Sequence, residues 1–184
     1  MGEDKALKLF LGEPLIQRVA KRLRPIADEL IVTTNHPEDF AFLGARLIRD
    51  LEAGRGALGG LYTAIASAAQ PIVAIIACDM PFASAKLIEV ATRLLIAEEA
   101  DVVIPKTEAG YEPFHAVYRR AACLPIVEAA LRARQWKATA WLSQAQTRTL
   151  TAAEIQAADP RGLAFWNLNT PEEFAQAEEA ASAQ

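Results

Sequence analysis

Leu15, Ile16, Val19, Ala20 and Leu23 recur at three- and four-residue spacing behind Pro14, a pattern that predicts an amphipathic helix ended near Pro25. Residues 29–34 (ELIVTT) are a short, largely β-branched run stopped by Asn35, His36 and Pro37, so a strand running into a loop is expected there, and residues 46–50 read as another. A glycine-rich connection (Gly54, Gly56, Gly59, Gly60) opens into residues 61–69, whose alanine and leucine content favours helix. Residues 71–78 (PIVAIIAC) are apolar without alternation, as in a strand covered on both faces, and end at Asp79-Met80-Pro81. Ser84 is placed to cap a helix reaching about Glu99. Further strands are expected at 101–105 and 114–118, a helix at 124–134, and a strand ending in 165–170. Two capping boxes punctuate the tail, Thr151 with Glu154 and Thr170-Pro171-Glu172-Glu173. Strands and helices alternate without repeat or linker, which predicts one α/β domain over residues 1–184 with a mostly parallel sheet.

Composition narrows the chemistry. The chain has 184 residues, 52% of them hydrophobic, enough for a real core, and its net charge of −4 leaves no basic field for a polynucleotide. Cys78 and Cys123 are far apart with no CxxC pair, which argues against a zinc cluster and fits a reducing compartment. The longest apolar run falls far short of the roughly 20 residues that span a bilayer, and residues 1–5 do not resemble a signal peptide. A soluble, cytoplasmic protein without nucleic-acid or membrane partners is expected.

In open α/β sheets, ligands collect at the carboxyl ends of strands, so Asn35, Asp50 and Asp79 are the polar residues to weigh. Asp79, after the buried strand, suits Mg²⁺ shared with nucleotide phosphates, or is merely a turn aspartate. The Gly54–Gly60 stretch can bring backbone N–H groups to a ligand at a helix N-terminus, or serve as a flexible turn. Lys5 can meet a phosphate as a point charge, or simply be solvated. Glu112-Pro113-Phe114-His115 can frame a second pocket for an acceptor, while His115, within an apolar run, reads first as a core residue. Asn167 and Asn169 contact ligand or cap the last helix. No Ser/His/Asp or Cys/His set is readable, so covalent catalysis has no support.

Taken in order, the pieces DKAL (4–7), GEPLIQRV (12–19), IVTTN (31–35), Asp50, GALGGLYTAI (56–65), ACDMPF (77–82), EPFHAVY (112–118) and NLNTPEEF (167–174) resemble the molybdenum cofactor guanylyltransferases over nearly the whole chain. The resemblance implies a Rossmann-like, three-layer α/β/α nucleotidyltransferase that moves GMP from GTP to the phosphate of molybdopterin, releasing pyrophosphate, with Mg²⁺ as cofactor. It implies that Lys5 meets the GTP phosphates and that Asn35 and Asp50 contact the nucleotide. Asp79 is expected to hold Mg²⁺ and GTP, and Gly59 and Gly60 to form the nucleotide-side loop. Asn167 and Asn169 are expected to face the pterin. Lys5 and Asp79 are thus the expected catalytic pair. GTP and molybdopterin are the expected partners, with molybdoenzyme apoproteins or their chaperones downstream.

Ala57 stands where the family commonly has proline, which loosens the loop but leaves its backbone donors. The family's motif also begins with a strand and an LAGGxSxRMG-like loop before DKAL, and here Met1-Gly2 coincides with that loop's last two residues. An upstream natural start, with Met1 an internal methionine, is the corresponding expectation. Two alternatives stay open: a related nucleotidyltransferase using CTP or another acceptor, and a truncated, catalytically dead binding protein.

Overall fold

The computed structural model describes residues 4–52 and 54–182; the expectation about Met1-Gly2 lies outside the described residues. A two-residue hairpin of β1 (Leu9–Phe10) and β2 (Glu13–Pro14) turns through Leu11 and Gly12, both at positive φ, and leads into α1 (Leu15–Leu23). The apolar positions that predicted α1 are the ones it buries. Strand β3 (Ile31–Thr33) pairs parallel with β4 (Arg46–Ile48) across a 3₁₀ segment, Pro37–Leu43.

Helix α2 (Gly56–Ser67) starts five residues earlier than expected, so Gly59 and Gly60 lie within a helix and not in a loop. Then come β5 (Ile72–Ile76), α3 (Ala85–Ala97), β6 (Val102–Thr107), β7 (Gly110–Tyr111) and β8 (His115–Arg119), followed by α4 (Arg120–Arg132), β9 (Thr147–Leu150), α5 (Ala152–Ala158) and α6 (Pro171–Ser182). The Ser84 hydroxyl caps α3 as expected, accepting from Leu87 N, and Thr151 with Glu154 forms the expected capping box of α5. Thr170 and Glu173 do the same for α6: each side chain accepts the other's backbone N–H, at 3.2 and 2.9 Å. Residues 165–169 form no strand. Their backbone turns, and Leu168 N donates to Asp79 O at 3.0 Å, which ties the tail to the end of β5.

The larger sheet has β5, β6 and β9 running one way. Strand β8 is inserted antiparallel between β5 and β6. Together with the parallel β3–β4 pair this gives the expected mostly parallel arrangement, with β8 as the exception. The cause is local: β6 folds back through a tight turn at Gly110 (φ 128°), so β7 and β8 return beside it as one strand interrupted at residues 112–114. Pro113, lacking an N–H, cannot continue a ladder there.

Alternation along the central strands divides the core into two layers. Val102, Ile104, Ala116 and Tyr118 pack with α2, α4 and Trp141 on one face. Val103 and Val117 pack with α1 and α3 on the other, and α5 and Ala164 complete that layer. This is the three-layer α/β/α fold. Among the described residues, neither β3 nor β5 has a strand partner on its second edge, and their two sheets share no strand hydrogen bond. Cys78, just past β5, nevertheless packs in the same cluster as Val32 of β3, which brings the carboxyl ends of both strands to one side.

Candidate active site

Asp79 follows β5 in a turn whose backbone groups are bonded from several directions. Ala77 N donates to Phe114 O at 2.9 Å and Leu168 N to Asp79 O at 3.0 Å. Arg18 Nε and Arg22 Nε, one turn apart on α1, donate to Pro81 O and Ala83 O at 3.1 and 2.8 Å. Ser84 N donates to His115 Nε2 at 2.9 Å.

The Asp79 carboxylate takes Lys5 Nζ at 3.3 Å, with the two side chains 21% and 36% exposed. Lys5 also donates to Asn169 Oδ1 at 2.7 Å. Its position follows from the sequence: the Asp4 carboxylate accepts from Ala6 N and caps the 3₁₀ turn Lys5–Leu7, while Ala6 is buried against α1. Three of the expected residues therefore meet at one point.

Asp79 and Asn169 line a cleft of about 340 Å³, and Lys5 is bonded to both. Ala77, Met80 and Phe114 form its apolar wall, and Asp79, Glu112, Asn167 and Asn169 its polar one. Asn167, whose amide makes only a 3.5 Å contact to Phe165 O, also lines the cleft.

Asn35 and Asp50 form a second pair. Asn35 Nδ2 donates to Asp50 Oδ2 at 3.0 Å, and Asp50 N lies 3.4 Å from Asn35 Oδ1. Both sit at carboxyl ends of parallel strands, as the sequence suggested. The next residue, Leu51, donates its N–H to Thr63 Oγ1 at 3.1 Å, and that hydroxyl donates to Gly59 O at 3.0 Å, so the pair is linked to α2.

The two adjacent glycines of α2 differ in surroundings. A Cβ on Gly59 would lie 2.8 Å from Arg55 Cβ and 3.0 Å from Glu52 O, so glycine is what lets Glu52 and Arg55 pack this close to the helix. A Cβ on Gly60 would meet nothing within 4 Å. The loop was expected to offer its N–H groups to a ligand, but Leu58 N is already taken by Trp136 O at 3.1 Å. Arg55 lies over the Trp136 ring at 5.1 Å. Nothing in the RQWKA stretch marks Trp136 as a brace for the glycines, and sequence reasoning missed it, as it missed Arg18 and Arg22.

The remaining titratable groups are poor catalysts. His115 is 1% exposed; burial drops its pKa to about 4, so at neutral pH it is an uncharged acceptor with Nδ1 unpartnered. Burial, reinforced by neighbouring Asp79, raises the Cys78 thiol to about 11, and burial raises Cys123 to about 12, so neither is a thiolate at neutral pH. Among the described residues, no group of three or more His, Cys, Asp and Glu side chains is placed to hold a metal. A single partly exposed carboxylate beside a cleft does suit Mg²⁺, which takes one or two carboxylates and completes its shell with phosphate oxygens and water. Asp79 is a carboxylate of that kind.

Residues 1–149 match the MobA-like NTP transferase domain. The chain is 34% identical over 182 residues to the molybdenum cofactor guanylyltransferase of Desulfosudis oleivorans, covering 99% of this chain and 89% of that one. It is 32% identical to a probable molybdenum cofactor guanylyltransferase of Pelotomaculum thermopropionicum, covering 96% and 85%. In fold it resembles the crystal structure of molybdopterin-guanine dinucleotide biosynthesis protein A from Archaeoglobus fulgidus, at TM-score 0.85 and 24% identity, with 100% of this chain and 93% of that one covered.

Proposed function

We propose, since this chain belongs to the MobA-like NTP transferase family, that it transfers GMP from GTP to the terminal phosphate of molybdopterin and releases pyrophosphate. The observation that carries the reading is the convergence of Lys5, Asp79 and Asn169 at the mouth of one cleft.

An oxygen of the molybdopterin phosphate attacks the α-phosphorus of GTP. The new P–O bond forms as the bond from the α-phosphorus to the α–β bridging oxygen breaks, and that oxygen leaves with the pyrophosphate. The nucleophile is already anionic, so no general base is needed. What the protein supplies is alignment and charge neutralisation.

Lys5 neutralises charge on the triphosphate. Asp79 would hold Mg²⁺, which when bound would withdraw charge from the phosphate oxygens around the reacting phosphorus. Lys5 and Asp79 neutralise each other at 3.3 Å, and a metal-bound triphosphate would offer each a replacement partner. Asn35 and Asp50 contact the nucleoside side, next to the open face at Gly60 where backbone can approach it closely. Asn167 and Asn169 face the acceptor.

The test is pyrophosphate release with molybdopterin present, comparing GTP with CTP and Mg²⁺ with excess chelator. Release with Mg-GTP, and little with CTP or chelator, is expected; a preference for CTP overturns the guanylyl assignment.

A further inference from the structure

We propose that Glu112 selects the acceptor, its carboxylate receiving the paired ring N–H and amino group on the edge of the pterin's aminopyrimidinone ring. This rests on molybdopterin being the acceptor, and adds the residue that recognises it.

Glu112 stands where the return strand is broken. Its N–H still donates to Pro105 O at 3.0 Å, and its own carbonyl accepts from His115 N at 3.1 Å. Between these bonds Pro113 interrupts the ladder, and both Glu112 and Phe114 line the cleft. Interruptions of this kind re-aim side chains beside active sites. The 2.9 Å bond from Ala77 N to Phe114 O holds the break against the end of β5, two residues before Asp79. In this proposal the acceptor's phosphate lies by Asp79 and Lys5 and its ring by Glu112 and Phe114, which line the same cleft as Asp79.

Two features suit Glu112 to a neutral donor edge. Thr107 Oγ1 donates to its Oε1 at 3.0 Å, which orients the carboxylate in advance. Among the described residues, no cationic side chain comes within 4.0 Å of it. A half-buried carboxylate with one hydroxyl partner and no counter-charge retains acceptor capacity on its second oxygen. A flat heterocycle presenting two adjacent N–H donors would lie against Phe114 and Met80 and satisfy it.

Guanine carries the same donor edge, so the test separates the two ligands. Binding of molybdopterin, followed by pterin fluorescence, and of Mg-GTP, followed by calorimetry, is measured for wild type, Glu112→Gln and Thr107→Val. Glu112→Gln keeps the oxygen that Thr107 binds and replaces the other acceptor with a donor. It is expected to weaken molybdopterin binding at least about tenfold, the scale of one lost charge-assisted hydrogen bond, and to leave Mg-GTP within about twofold. Thr107→Val, which frees the carboxylate to reorient, is expected to weaken molybdopterin less, and it serves alone if the glutamine variant does not fold. Equal molybdopterin affinity in wild type and both variants, or a parallel loss of GTP binding, overturns the inference. A wild type with no saturable molybdopterin binding instead overturns the acceptor assignment itself.

Discussion

Protonation of His115 should reveal itself in the pH dependence of stability. The folded protein holds its imidazole at about 4 against an ordinary 6.5, because burial disfavours the charged form and Nε2 must stay unprotonated to accept Ser84 N–H. A group with a depressed folded pKa contributes its stability above the unfolded value and loses it as pH falls toward the folded one. The gap, at about 1.4 kcal/mol per pH unit, is about 3 kcal/mol, of which about 2 kcal/mol falls between pH 7 and pH 5. That is a large part of a domain's ~5–15 kcal/mol. Glu154, drawn down to about 2 chiefly by its hydrogen bond from Arg148, loses its contribution only below about 4.5, so it does not share this window. Urea unfolding followed by tryptophan fluorescence at pH 7, 6 and 5 should show the wild type losing about 2 kcal/mol. His115→Gln, which can accept the same N–H but does not titrate, should lose less than about 0.5 kcal/mol over that range. A flat wild type, or equal slopes in the two proteins, refutes the reasoning.

Lys5→Ala removes a partly exposed ion pair worth about 0–1 kcal/mol to folding, so the melting temperature should move little, while kcat/KM should fall about 100-fold or more if Lys5 neutralises the reacting phosphates; a fall under threefold sinks that role. Asp79→Asn should cost kcat about 100- to 1,000-fold and blunt the response to added Mg²⁺, and unchanged Mg²⁺ activation would remove Asp79 as the ligand. Gly59→Ala should destabilise by about 1–3 kcal/mol, since its Cβ would press on Arg55 Cβ and Glu52 O. Gly60→Ala, with open space around it, should stabilise by about 0.5–1 kcal/mol and yet weaken GTP binding; if GTP binds as before, the nucleoside does not lie against this face.

What the sequence made legible is what depends on local rules. The Ser84 cap and the two capping boxes each need only a hydroxyl or carboxylate a few residues from an orphan N–H, and all three formed. Asp79 was legible because an unbroken apolar strand points to its own polar end. The antiparallel direction of β8 was not legible because a hydrophobic run carries no direction. The signal was Gly110, a turn glycine between two apolar runs, which indicates a hairpin. Residues 165–169 look like a strand by composition, but Leu168 N is bonded to Asp79 O, a partner far away in sequence. Strand β9 escaped notice because three of its four residues, Thr147, Arg148 and Thr149, are polar and only partly buried, and it is held by its parallel pairing with β6. Gly59 and Gly60 were assigned to a loop on propensity; at Gly59 the close approach of Arg55 and Glu52 to the helix overrides it.

The Asp79 turn divides fixed from exchangeable parts. Its backbone is bonded by Arg18 and Arg22 from α1, by His115 from β8 and by Leu168 from the tail. Those from arginine are worth about 1.5–3 kcal/mol each and the neutral ones about 0.5–1.5 kcal/mol, so displacing the turn means breaking several at once. The Asp79 carboxylate, by contrast, has among the described residues a single side-chain partner, Lys5, in a partly exposed pair worth at most about 1 kcal/mol. The carboxylate can therefore leave Lys5 at small cost while its Cα stays in place, as the proposed metal role needs. Electrostatic catalysis requires this division, because a charged group that must also carry its backbone along would lose in reorganisation what it gains in attraction. It follows that removing Arg18 or Arg22 should act on kcat through the position of Asp79, and that removing Lys5 should act through charge alone.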